Sequence, residues 1–205
     1  DDRTIAAAVA HAPLPILLGG DHAITYPVVA ALAARHGPLN ILHFDAHPDL
    51  YADFEGNPRS HASPFARIFE GGYAKRLVQV GIRTTNADTL GVTVIDAREV
   101  HERGPQAAVE KIKAVLGDHP TYLTFDIDAL DPSYAPGTGT PEIGGFTTFQ
   151  AQQMLREMRG LHIVGGDVVE VSPPFDPSGV TAHAGVTMMF EILCPMAEDV
   201  AKCRT

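Results

Sequence analysis

Four apolar, β-prone runs in this chain each end in acids or histidines. "PILL" leads into "GGDH", "NILHF" into "DAHPD" and "TYLTF" into "DIDALDP", while "HIVGGDVV" closes on "EVSPP". Near-continuous apolar runs of this length are strands of a sheet covered on both faces. Carboxylates at their ends are costly to bury unless something pairs with them. Longer helix-like segments stand between the runs, and such alternation is the pattern of an α/β fold with a mainly parallel sheet. Ligands of such sheets bind beyond the carboxyl ends of the strands, where all four clusters fall.

The pattern predicts strands over 15–20, 40–45, 76–82, 91–96, 121–126 and 162–171. It predicts helices over His22–His36, Pro64–Gly71, Pro105–Leu116, Thr148–Met158 and Thr181–Ala197. One junction fits poorly. A parallel crossover needs about a dozen residues, and only Arg83 to Leu90 separate the third and fourth runs. Either these two strands are not parallel neighbours, or the chain is shorter here than the fold requires.

With 205 residues, 45% of them hydrophobic, the chain can bury one sizeable core, so 1–205 reads as a single domain. A net charge of −10 argues against nucleic acid or an anionic membrane as partner and favours cationic substrates or metal ions. Cys194 and Cys203 make no disulfide framework, which points to a reducing cytoplasm. The N-terminus lacks a basic leader and is broken by prolines, and no run is expected to span a bilayer.

In an extended segment, Asp45, His47 and Asp49 point to one side, with Pro48 bending the path. Mixed carboxylate and imidazole donors suit Mn, Fe or Zn better than Ca or Mg. A solvated turn rich in Asp and Pro is the alternative. Asp126 and Asp128 repeat the spacing at another strand end, and Asp131-Pro132 reads as a turn; Asp128 or Asp131 would otherwise cap that turn. Together the two clusters favour carboxylates bridging two metals about 3.5–4 Å apart. His22 stands at a strand-to-helix corner, with Asp21 as a capping or supporting group. A phosphate loop is excluded, since the Walker lysine and the GxGxxG spacing are both missing.

Taken together, "GGDH", "DAHPDLY", "GNPRSHASPF", "FDIDALDPSYAPGTGTPEIGG" and "VVEVSPPFD" resemble the ureohydrolase family of arginases, agmatinases and guanidinobutyrases, from about Leu14 to Cys194. The resemblance implies a three-layer αβα, arginase-like fold and two Mn²⁺ ions. It assigns one ion to His22, Asp45, Asp49 and Asp126, and the other to Asp45, His47, Asp126 and Asp128. Asp45 and Asp126 would then bridge. It also implies that His61 shuttles a proton, that Glu170 receives a guanidinium, and that Asp128 belongs with the catalytic groups. The implied reaction hydrolyses a guanidino compound to urea and a primary amine, with water activated between the ions. A homo-oligomer, trimeric or hexameric, is implied too. Family members carry a further N-terminal segment, so the chain is expected to be truncated there.

Without support from the resemblance, His43, His101, His119 and His162 read as structural or surface residues with no cluster around them. His183 stays open, and Asp167 reads as a supporting or turn residue. The loop 52–60 is expected to reach the far end of the substrate. Asn57 and Ser60 are its candidate binding residues, and Arg59 either attracts a carboxylate or lies in solvent. Agmatine is the first choice, on "APGTGTPEIGG", "VVEVSPPFD" and the acidic balance, with arginine and guanidinobutyrate as alternatives. Two other readings remain: a ureohydrolase-like binding or regulatory protein without strong catalysis, and a different metallohydrolase such as a deacetylase.

Overall fold

The structure, a computed structural model, describes residues 2–85 and 90–202. Its strands are β1 (Ile16–Leu18), β2 (Leu39–Phe44), β3 (Ala74–Val80), β4 (Thr93–Ile95), β5 (Thr121–Asp126) and β6 (Ile163–Val169). They form one sheet in the order β1-β6-β5-β2-β3-β4, and every pairing is parallel. The helices are α1 (Asp2–Ala10), α2 (Thr25–His36), α3 (Pro64–Glu70), α4 (Ala97–Arg103), α5 (Pro105–Leu116), α6 (Thr148–Arg156) and α7 (Val180–Lys202).

Strand alternation divides the core into two halves. Leu39 and Ile41 of β2 pack with Val28, Leu32, Phe65 and Ile68 under α2 and α3. Their neighbours Leu42 and Phe44 pack with Val109, Ile112, Met154 and Met188 under α5, α6 and α7. The result is three layers, with all six β2 residues and all six β5 residues buried. From β2 the chain runs outward through β3 and β4, whereas β5 returns on the other side of β2. The carboxyl ends of β2 and β5 therefore flank the point where the strand order reverses, the crevice in which open α/β sheets bind ligands.

The expected strands all form, with ends that match or differ by one or two residues. β3 stops at Val80 and β4 starts at Thr93, so residues 81–92 give the dozen a parallel crossover needs, and the two strands are parallel neighbours after all. Residues 86–89 of that junction lie outside the described residues, as does Cys203. Two helices went unpredicted. The alanine-rich "TIAAAVA" has high helix propensity, and Pro13 and Pro15 fall beyond its end rather than breaking it. Asp96, expected to close a strand, instead caps α4 by accepting from the Glu99 N–H at 2.7 Å.

Helix α7 corrects another expectation, because by length and composition it could cross a bilayer. Its stripe of Ala184, Met188, Ile192 and Met196 is buried in the core. Glu191 on it also accepts from Arg156 of α6 at 2.6 Å. It packs as a core helix.

Candidate metal centre

β2 leaves the sheet at Phe44, but the Asp45 N–H still donates to the Val80 carbonyl at 3.0 Å, which fixes where its side chain emerges. The next residues turn instead of staying extended. The His47 N–H donates to Asp45 Oδ1 at 2.6 Å, and Asp49 adopts φ 49°, a left-handed conformation that non-glycine residues rarely take. The three side chains converge through this turn, not through the strand alternation expected.

From the neighbouring strand end, Asp126 caps a 3-10 turn (Ile127–Ala129) by accepting from the Asp128 N–H at 2.9 Å. Asp128 Oδ1 in turn accepts from the Ala46 N–H at 3.1 Å and ties the two loops together. Asp131 makes the expected turn, accepting from the N–H groups of Ser133, Gly144 and Gly145. His22 opens a second 3-10 turn (His22–Ile24), which Asp21 caps through the Ala23 N–H, as expected.

These elements assemble two groups that share Asp45. His22 Nδ1 lies 3.2 Å from Asp45 Oδ2, 3.1 Å from Asp49 Oδ2 and 3.2 Å from Asp126 Oδ2. His47 Nδ1 lies 3.0 Å from Asp128 Oδ2 and 3.4 Å from Asp45 Oδ1. The two oxygens of Asp45 thus face different groups, the arrangement of a carboxylate that bridges through both oxygens. Asp126 presents Oδ2 to His22 while its Oδ1 takes the Asp128 N–H.

The spacing fits metal ligation. Donor atoms about 2.1 Å from one ion, at right angles to each other, stand about 3 Å apart. His22 Nδ1 is fully buried and makes no well-formed hydrogen bond despite its three carboxylate neighbours. That is how a ligand atom aimed at a common centre behaves. His22 Nε2 lies 2.9 Å from Thr124 Oγ1, which leaves Nδ1 for the cluster.

Electrostatics points the same way. Burial, followed by the charge of Asp45, pushes the Asp49 carboxyl up to about 7. Burial and the neighbouring carboxylates also raise Asp126 and Asp128. Burial alone would lower His47, but Asp128 and Asp45 outweigh it and push the imidazole up to about 11. For Asp45, burial favours the protonated form, and His43, His22 and His47 outweigh it and hold the carboxyl well below its usual range. Four buried carboxylates crowd together, and Asp49, Asp126 and Asp128 hold on to protons that a cation would replace.

A cavity of about 230 Å³ opens over the cluster, and His47, Asp49, His61, Asp126, Glu142 and Glu170 are among its walls. His61 stands edge-on to Phe54, with ring centroids 5.5 Å apart. Glu170 follows β6 at φ 65°, left-handed like Asp49, and its Oε1 accepts from the His22 N–H at 2.6 Å. Strain of this kind persists where the surroundings fix a side chain for use.

The sequence profile of the Arginase family matches residues 2–194. The chain belongs to the arginase family. It is 50% identical over 200 residues to the guanidinopropionase of Pseudomonas aeruginosa, covering 92% of this chain and 63% of that protein. It is 47% identical over 197 residues to the agmatinase of Chromobacterium violaceum, covering 95% and 60%. Among solved structures, a hypothetical agmatinase from Burkholderia thailandensis superposes with a TM-score of 0.93 at 42% identity, covering 98% of this chain and 66% of that one. The chain spans about three-fifths of the length of the curated relatives it matches.

Arginase-family proteins are metal-dependent, and seven of the expected residues meet around the shared cluster: His22, Asp45, His47, Asp49, Asp126, Asp128 and Glu170. His61 joins them across the cavity. Asn57 and Ser60 do not line it. The Asn57 side chain accepts from the Arg59 N–H at 2.9 Å, and Ser60 Oγ sits 3.1 Å from Ser63 Oγ. Arg59 pairs with Asp2 and lies over the Tyr26 ring at 4.3 Å, away from the cavity.

The expectation that His43 has no cluster around it is wrong. His43 is fully buried and its Nε2 lies 2.6 Å from Asp45 Oδ2. Burial, outweighing Asp45, lowers its pKa to about 4. Position i and i+2 share a strand face, so "HFD" carried the signal. Asp167 is no turn residue either: it sits in β6 and accepts from Thr25 Oγ1 at 2.7 Å and the Tyr122 hydroxyl at 2.6 Å. His101, His119, His162 and His183 make local surface contacts.

Proposed function

We propose that this chain is the hydrolytic core of a binuclear manganese amidinohydrolase, converting agmatine to putrescine and urea. The observation that carries the reading is the pair of histidine–carboxylate groups joined by the two oxygens of Asp45. His22, Asp45, Asp49 and Asp126 would hold one Mn²⁺, and Asp45, His47, Asp126 and Asp128 the other. Bound there, the ions supply the acidification of water that gives a strong nucleophile at neutral pH. A guanidinium is a resonance-stabilised cation and a poor electrophile, so it needs one.

The chain's own residues do the rest. Glu170, anchored by the His22 N–H, pairs with the guanidinium and fixes its plane. His61 hands a proton to the departing amine. Phe54 against its ring limits where that imidazole can swing.

Charge favours agmatine. Four aspartates against two divalent ions leave the cluster neutral, so Glu170 and Glu142 remain as uncompensated acids in the cavity wall. Among the described residues no lysine or arginine lines that wall to receive a substrate carboxylate. A guanidino acid is the second reading, favoured by the 50% identity to a guanidinopropionase. A homo-oligomer, trimeric or hexameric, belongs to the same proposal.

The test is a urea-release screen over agmatine, arginine, 4-guanidinobutyrate and 3-guanidinopropionate, with and without Mn²⁺. Mn²⁺-dependent release, fastest on agmatine, is expected. Two bound Mn²⁺ per chain with no urea from any compound would replace this reading by a binding role.

A further inference from the structure

The register lines up Gln79, His43, Thr124 and Asp167 side by side across β3, β2, β5 and β6. All four side chains are fully buried. The row runs one pleat beneath Asp45 and Asp126, because residues 43 and 124 precede them by two on the same face. A polar row through the middle of a sheet is expensive unless each member is satisfied. Each member has a side-chain partner: Thr124 meets His22, Asp167 Oδ2 takes Thr25 and Tyr122, and His43 and Gln79 form a relay of their own. Asp167 Oδ1 and Gln79 Oε1 make no hydrogen bond.

The relay has only one self-consistent hydrogen assignment. Gln79 Nε2 lies 2.7 Å from the Pro48 carbonyl, which can only accept. The same nitrogen lies 3.1 Å from His43 Nδ1. Flipping the amide would set oxygen against oxygen at Pro48. Gln79 therefore spends one amide hydrogen on Pro48 and points the other at His43 Nδ1, which accepts. The buried ring then carries its single hydrogen on Nε2 and donates it to Asp45 Oδ2 at 2.6 Å.

The geometry points to His43 as a positioning residue that Gln79 locks in the Nε2–H form, so that one hydrogen bond aims the Asp45 carboxylate between the two ligand groups. His43 and Asp45 also stand with His22 in a candidate ligand trio. With Gln79 at one nitrogen and Asp45 at hydrogen-bond distance from the other, however, the ring has no nitrogen left for an ion. Gln79 simultaneously pins Pro48, so the same amide holds the loop that carries His47 and Asp49. Supporting partners of this kind typically change metal affinity about 10–100-fold. The inference rests on the metal-centre reading above.

The experiment compares the wild-type chain with His43→Phe, His43→Gln and Gln79→Leu. Mn²⁺ affinity is measured by competition with a chromophoric chelator, and ¹⁵N-histidine NMR of the metal-free protein reads the tautomer. Phe keeps the packing against Phe65, whose ring lies 4.2 Å from His43, but donates nothing. Gln places an amide N–H near the position of Nε2. His43→Phe is expected to weaken Mn²⁺ binding about 10–100-fold, with His43→Gln recovering most of the loss. Gln79→Leu, which keeps the imidazole and serves if His43→Phe fails to fold, should weaken binding and release the ring into mixed tautomers. The resonance absent from His43→Gln should report Nε2–H in the wild type. Wild-type affinity in both His43→Phe and Gln79→Leu, or a wild-type ring protonated on Nδ1, overturns the inference and leaves the proposed function standing. Failure of the wild-type chain to bind Mn²⁺ overturns both.

Discussion

The two faces of the sheet are built from the same strands yet carry different loads. On the face under α5, α6 and α7, β2 and β5 present Leu42, Phe44, Leu123 and Phe125, apolar to the tip. On the face under α2 and α3 they present Ile41, His43 and Asp45, and Tyr122, Thr124 and Asp126, turning polar as they climb. One face supplies burial and the other aims ligands. Because side chains alternate with period two, adjacent residues of one strand serve different ends, and a one-residue slip would exchange them.

The largest effect that separates the faces comes from substituting neighbours. Asp126→Asn should abolish Mn²⁺ loading at the His22 group and take urea release to background. It should also leave the metal-free fold as stable or more so, since burial and Asp128 hold the Asp126 carboxyl well above its usual range. Phe125→Ala, one residue earlier, should cost about 3–5 kcal/mol of stability while the folded fraction binds Mn²⁺ normally. Metal titration beside chemical denaturation checks both. If Phe125→Ala weakened Mn²⁺ binding as much as Asp126→Asn, the faces would not be separable.

A smaller effect, visible only on the polar face, is the pH response of the metal-free chain. Asp49 titrates at about 7 when folded against about 4 unfolded, so the unfolded chain loses its proton first and stability falls as pH rises through that window. His47, pushed up to about 11, stabilises fully below about 6.5, and that contribution drains away as pH rises toward 11. Both slopes have the same sign. His43, lowered to about 4 when folded, adds stability as pH rises toward about 6.5 and offsets Asp49 there. In chelator, the melting temperature should therefore decline chiefly between pH 6.5 and 9. With Mn²⁺ in place of the protons the decline should disappear. A melting temperature that rises over this range in chelator would refute the crowded-carboxylate account.

Legibility in the sequence follows the same division. Strand ends were readable because Asp45 with His47, and Asp126 with Asp128, announce themselves at a spacing of two after apolar runs. The apolar burial of the strands was readable from their near-continuous apolar runs. His43 was legible only in part: its spacing of two sets it on the Asp45 face, but a histidine inside a strand looks like any core polar residue until register sets Gln79 beside it. Helix α4 was hidden because Asp96 ends an apolar run as a ligand would, yet it serves as a helix cap. The convergence at Asp49 and Glu170 depends on left-handed backbone, which nothing in the residue types of non-glycine positions discloses.

The smallest expected effect lies outside both faces, in the loop assigned to the substrate's far end. Arg59 is the one residue of that loop with a charge suited to a carboxylate, but its guanidinium is already committed to Asp2 and the Tyr26 ring. Both partners belong to the helical layer and not to the cavity wall. A half-exposed ion pair with a cation–π contact contributes about 1 kcal/mol or less. Arg59→Ala should thus lower stability by no more than that, and leave the ratio of kcat/KM for agmatine over 4-guanidinobutyrate within about twofold, well below the tenfold that 1.4 kcal/mol would give. Steady-state kinetics on the two substrates decides it. A selective loss on the guanidino acid would mean that Arg59 leaves Asp2 to meet a carboxylate, and would shift the substrate reading from a diamine-type toward an acid.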